Sequence, residues 1–123
     1  MLGAYFPCNL YVIGVYFTMR IIETPIFTKR VKEILSEEEY RLFQIKLIDD
    51  PEAGNIIKSS GGIRKIRWSG SGRGKRGGSR ILYYWFNTQG VLLMLFIFKK
   101  NESDDLTKVQ LKQLGTIVEK EYK

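Results

Sequence analysis

Lys65 and Arg67 stand two residues apart in Ile63-Arg64-Lys65-Ile66-Arg67-Trp68, a segment whose apolar residues Ile66 and Trp68 share a period of two. In a strand that period sends Ile66 and Trp68 to one face and Lys65 and Arg67 to the other. Two rises of ~3.3 Å separate the pair by about 7 Å. Successive phosphates of an extended single strand repeat at roughly 6 Å, a comparable step. Arg80 opens the next strand-like segment, and Lys99 and Lys100 close the one after it. If these segments pair as an antiparallel meander, the ends converge on one face. Cations gathered so attract a phosphate backbone. The plainer reading is that edge-strand lysines only block aggregation.

The charge distribution favours a polyanion. The 123-residue chain holds 20 Lys and Arg against 13 Asp and Glu, a net charge of +7. Between Glu52 and Glu102 there is no acid and there are ten basic residues, eight of them within 58–80: Lys58, Arg64, Lys65, Arg67, Arg73, Lys75, Arg76 and Arg80. Outside 58–80 the balance is 12 basic to 13 acidic residues, so this segment accounts for the excess. A solvated charged face usually mixes both signs. An acid-free run repels itself unless an anion offsets it.

Seven glycines in 61–78 allow backbone to approach phosphate closely, yet the loop at 70–78 is neither nucleotide motif its letters suggest. Gly72-x-Gly74-x-x-Gly77 lies between strands, whereas a dinucleotide fingerprint must open a helix. Gly70 to Lys75 is one residue short of a P-loop, and Arg76 replaces the magnesium-binding Ser or Thr. Trp68, Tyr83, Tyr84, Trp85 and Phe86 could stack on bases. Only one of Tyr83 and Tyr84 can look at the basic face; the other, with Phe86, is expected in the core. There is no histidine and one cysteine, Cys8. That excludes His-based triads, HExxH zinc sites, disulfide frameworks and CxxC motifs. Neither metal nor cofactor is expected.

Positioning such residues requires a sheet within a single domain. Residues 2–19 are uncharged and largely apolar. The run reaches transmembrane length, but Gly3, Pro7, Asn9 and Gly14 weaken it and no basic residue precedes it. Residues 1–18 are read first as an extension upstream of a natural start at Met19, with the domain over 19–123. An added strand and a membrane-associated arm are the alternatives.

Residues 20–24 predict a strand, and Thr24-Pro25 the cap and first turn of a helix to about residue 35. Ser36 and Glu39 form a capping box for a second helix, which Asp49-Asp50-Pro51 ends. Residues 53–62 are expected as loop. Strands follow at 63–68, 79–87 and 91–98, the last an unbroken apolar run and so covered on both faces. Ser103 is expected to cap a final helix, with Asp104 and Asp105 in its first turn. The fold class is α+β, in the order strand, helix, helix, three strands, helix: a small antiparallel sheet with helices against one face.

Four blocks, SEEEYRLFQIKLIDDP at 36–51, GGIRKIRWS at 61–69, GKRGGSRILYYWF at 74–86 and FKKNESDDLT at 98–107, resemble the RelE/ParE superfamily, specifically HigB-like toxins of type II toxin–antitoxin systems. The resemblance runs from Arg20 to Tyr122. It implies a RelE-like toxin fold and a cytoplasmic protein with no stable membrane association. Its implied partner is a cognate antitoxin, expected as a helix-turn-helix protein. The implied activity is that of an mRNA interferase, cutting messenger RNA in the decoding site of the 30S ribosomal subunit. The substrate 2′-hydroxyl attacks the adjacent phosphate without metal, leaving a 2′,3′-cyclic phosphate and a 5′-hydroxyl.

Carried over by motif, the family's basic pair falls at Lys65 and Arg67, its next-strand arginine at Arg80, and its basic residue after the last strand at Lys100. Arg67, Arg80 and Lys100 would stabilise the phosphorane by about 3–4 kcal/mol per donor, with Lys65 as general base. A tyrosine used by some relatives falls near Leu106, which has no acid–base chemistry, and the histidines of others are absent; Tyr84 is the substitute. Arg64, Arg73, Lys75, Arg76 and Lys99 are assigned as surrounding RNA-binding residues. A gyrase-directed ParE-like toxin and a non-catalytic RNA-binding module are the alternative functions.

Overall fold

The computed structural model describes residues 5–12, 15–69, 78–100 and 106–122. Aromatic and β-branched residues make the apolar N-terminal run extended. It forms β1 (Tyr5–Val12) and β2 (Val15–Glu23), antiparallel from Tyr5 opposite Ile22 to Val12 opposite Val15. The first strand expected at 20–24 is therefore the end of a longer one. Helix α1 (Pro25–Ile34) follows with Thr24 as its cap, the side-chain oxygen accepting from the Phe27 amide at 3.2 Å. Helix α2 (Glu37–Asp49) begins on the expected box, Ser36 and Glu39 each taking the other's backbone amide.

After α2 come β3 (Asn55–Ile56), β4 (Arg64–Trp68), β5 (Ser79–Phe86), β6 (Val91–Lys99) and α3 (Lys108–Tyr122). The strands form one six-stranded sheet in the order β1-β2-β6-β5-β4-β3. The meander β4-β5-β6 is antiparallel as expected. However, β2 joins β6 in parallel, Arg20 opposite Val91 to Glu23 opposite Met94, so the sheet is mixed. The two-residue β3 lies where loop was expected, pairing Asn55 with Lys65 and Ile56 with Arg64.

The expectation of helices on one face is corrected. Phe27, Val31, Phe43 and Leu47 of α1 and α2 pack with Ile21, Ile66, Ile81, Tyr83, Leu92 and Met94 on one side. Leu114 and Val118 of α3 pack with Ile22, Ile63, Leu82, Phe86, Val91 and Leu93 on the other. The physical reason is β6, whose residues 91–95 are all buried. A strand apolar on both faces needs a layer on each.

The last helix also starts later than expected, at Lys108. Thr107 and Gln110 form its reciprocal cap, at 2.9 and 3.1 Å. Leu106 and Leu111, at the staple positions flanking that box, both pack against the α3-side core. The expected cap residue Ser103, with Asp104 and Asp105, lies outside the described residues. Among the described residues no helix is long and apolar enough to cross a membrane.

One irregularity ties the layers together. Leu82 pairs with Phe96 and Tyr83 with Met94, leaving Leu95 as an extra residue in β6. The Leu95 carbonyl accepts from the Thr24 hydroxyl at 2.9 Å, so the bulge and the α1 cap share one side chain. Glu23, 2% exposed, accepts from the hydroxyls of Thr28 and Tyr40, joining β2 to both α1 and α2.

Candidate functional site

The register of β4 on β5 sets the site. Lys65 lies opposite Leu82, Ile66 opposite Ile81, and Arg67 opposite Arg80. Ile66 and Ile81 belong to the core under α1 and α2, whereas Leu82 belongs to the core under α3. Alternation therefore sends Lys65, Arg67 and Arg80 to the α3 side together. Directly opposed residues hold their Cβ atoms about 4.5–5.5 Å apart, so Arg67 and Arg80 leave the sheet side by side. Lys65 follows at about 7 Å along β4. Arg67 is exposed, while Lys65 and Arg80 are half-buried.

Lys100 joins this end of the sheet. Its amide donates to the Gly78 carbonyl at 3.2 Å, one position beyond the pairing of Ser79 with Lys99. Phe98 faces Arg80, so continued alternation gives Lys100 the same side. Gly78 makes the approach possible. Its φ is +60°, and a Cβ there would lie 2.7 Å from the Trp68 carbonyl oxygen. Only glycine brings the start of β5 this close to the end of β4.

Tyr84 is also on the α3 side, half-buried, its ring 4.4 Å from that of Phe86. Two residues past Leu82, it is a diagonal neighbour of Lys65, a distance of about 7–8 Å. It stands away from Arg67 and Arg80, so the face presents a phenol, then an amine, then two guanidiniums.

Other assigned residues fall elsewhere. Arg64 points to the opposite side, its guanidinium donating to the carbonyls of Glu52 at 3.2 Å and Gly54 at 2.7 Å. It fastens the loop after α2, on the side of the sheet away from Lys65 and Arg67. Lys99 pairs with Ser79 and alternates to the α1/α2 side, away from Lys100. Arg73, Lys75 and Arg76 lie outside the described residues.

Trp68 and Trp85 pack against the α1/α2 core, Trp68 edge-on to Phe43 at 5.4 Å, so neither looks at the basic face. Tyr83 and Phe86 are core as expected. The Tyr83 hydroxyl donates to the Pro51 carbonyl at 2.8 Å and accepts from the Gly54 amide at 2.9 Å. Burial pushes its phenol above the ordinary tyrosine value, against the opposing pull of the Gly54 hydrogen bond and Arg64.

Sequence reasoning missed Asn55, the cross-strand partner of Lys65 on β3. Two paired residues carry no detectable period, so only pairing reveals that an amide stands beside the amine. Among the described residues no three His, Cys, Asp or Glu side chains gather where they could hold a metal ion.

No protein-family model matches the sequence. Among solved structures the chain is similar to a doubly substituted form of the E. coli toxin RelE in the free state. The TM-score is 0.52 at 15% identity, covering 68% of this chain and 85% of that one. The likeness is one of fold, and it agrees with the α+β architecture described above.

Proposed function

We propose that this chain is the toxin of a type II toxin–antitoxin system, a RelE-like, HigB-like endoribonuclease that cuts messenger RNA in the decoding site of the ribosome. The observation that carries the reading is Arg67 opposite Arg80, with Lys65 one strand step away on the same face. Two guanidiniums side by side, with an amine one strand step away, match a polyanionic backbone in charge and spacing. Lys65, in its neutral amine form, takes the proton of the 2′-hydroxyl and becomes the ammonium. The 2′-oxygen bonds to phosphorus as the bond to the 5′-oxygen breaks, and the leaving oxygen is protonated by Tyr84. Arg67, Arg80 and Lys100 hold the charge on the phosphorane oxygens. The protein works in the cytoplasm, restrained by an acidic antitoxin segment that covers the same cations.

Two measurements test this. Primer extension after brief induction should map codon-phased cuts in messenger RNA. With purified ribosomes, Lys65→Ala and Arg80→Ala should each slow single-turnover cleavage by about 10²-fold or more, and Tyr84→Phe by about 10²-fold. Lys65→Ala and Tyr84→Phe should keep wild-type urea midpoints, and that of Arg80→Ala should not fall below wild type. Near-wild-type rates in both alanine variants remove the assignment. DNA-damage signalling without cuts would instead indicate a gyrase target, and salt-dependent RNA binding without cuts a binding module.

A further inference from the structure

A groove of about 840 Å³ runs between α3 and the turn joining β3 to β4, and four lysines line it: Lys58, Lys108, Lys112 and Lys120. All four are exposed, and among the described residues the one acid in the lining is Glu119. We propose that this groove is a second RNA site, which grips the sugar–phosphate backbone of a single strand beyond the point of cleavage. The proposal rests on the nuclease reading above for the identity of its ligand.

Spacing is the first argument. Lys108, Lys112, Thr116 and Lys120 recur every four residues along one ridge of α3. Each interval is about 6 Å along the axis, at 1.5 Å per residue. That is roughly the phosphate step of an extended single strand. The Thr116 hydroxyl already donates to the Lys112 carbonyl at 3.0 Å, so the cation sequence has one neutral step.

Local helix energetics give the second. Lys108 occupies the first helical position, where the macrodipole disfavours a cation. It also repels Lys112 one turn on, an i,i+4 pair of like charge. Two unfavourable choices at one end of a helix fit a bound anion better than a solvated surface.

The facing wall is preformed. Ser59, a non-glycine residue, has φ +62°, and Gly61 and Gly62 are also left-handed. The Ser60 hydroxyl, buried beneath them, donates to the Ile57 carbonyl at 2.7 Å and accepts from the Ile63 amide at 3.0 Å. Strain of this kind persists where surrounding structure over-determines it, commonly at ligand clamps.

Continuity decides for RNA over an acidic peptide. α3 packs over Leu82, the partner of Lys65, so groove and cleavage face share one side of the sheet. Lys58 stands three residues beyond Asn55, the other partner of Lys65, at most about 10 Å away. A strand leaving the Arg67–Lys65 row meets the groove next.

The test uses the full chain and a fluorescent twelve-nucleotide oligouridylate, with affinity read by anisotropy from 50 to 300 mM KCl. Each lost phosphate contact lowers the slope of log affinity against log salt by about 0.7. The combined variant Lys58→Gln, Lys108→Gln, Lys112→Gln should therefore lose about 2 from the slope. Lys29→Gln with Lys46→Gln, on α1 and α2, should lose none. An unchanged slope in the groove variant overturns the proposal. So does a variant that keeps its RNA slope but no longer binds an oligoglutamate peptide, which would assign the groove to an acidic protein segment. The two readings separate cleanly. Wild-type protein with groove-dependent binding that cuts nothing removes the nuclease and leaves the groove, whereas codon-phased cutting with the full slope retained in the variant removes the groove alone.

Discussion

Replacing Arg67 by Gln should make the protein more stable while making it a poorer catalyst. Arg67 is exposed and stands directly across β4–β5 from Arg80. Their Cβ atoms are about 5 Å apart, and repulsion lets the guanidinium heads splay. At roughly 7 Å the Coulomb term is about 0.6 kcal/mol in bulk water and about 2.4 kcal/mol at an effective dielectric of 20. Arg67 is exposed, so the lower figure governs, and the expected gain is about 0.5–1 kcal/mol at low salt. The Debye length is 30 Å at 0.01 M and about 3 Å at 1 M, so the gain should vanish across that range. Urea unfolding of wild type and Arg67→Gln in 10 mM and 1 M NaCl reads this directly. Lys29→Gln, on the exposed surface of α1, controls for the general relief of a +7 chain. Single-turnover cleavage by Arg67→Gln should fall by about 10²-fold. A loss of stability at low salt, or a gain that survives 1 M salt, would show that the two side chains do not share a face, and the site would dissolve with them.

Two further outcomes are expected. Tyr83 holds a raised phenol pKa, so its stabilising effect is complete below the ordinary tyrosine value of about 10 and is lost as pH climbs toward the folded value. Tyr83→Phe leaves the Gly54 amide and Pro51 carbonyl unpaired, at about 1–3 kcal/mol near neutrality. Its urea stability should approach wild type between pH 8 and pH 11, and a gap that stays constant would contradict the burial argument. Gly78→Ala places a Cβ 2.7 Å from the Trp68 carbonyl at a left-handed φ. It should cost about 1–3 kcal/mol and lower cleavage by displacing Arg80 and Lys100; an unchanged melting temperature would mean the strands do not approach there.

What the chain determines by itself is local. The period of two in 63–68 put Lys65 and Arg67 on one face, and the Ser36–Glu39 box marked the start of α2, because each signal is complete within a few residues. The same alternation puts Arg64 on the face of Ile66 and Trp68, where the carbonyls of Glu52 and Gly54 accept from its guanidinium. The start of α3 falls four residues later than the Ser103 expectation, because the reciprocal box of Thr107 with Gln110 caps the helix there.

The tertiary structure alone decided the rest. No periodicity says that β2 enters beside β6 in parallel, that Leu95 bulges, or that Asn55 pairs with Lys65. Nor does it say that Arg67 meets Arg80 rather than a neighbour two residues away. Side-chain direction follows from the backbone repeat of one segment, but register follows from which apolar faces, distant in sequence, bury each other. Here that burial is β6 held between α1/α2 and α3, and the cations follow where it puts them.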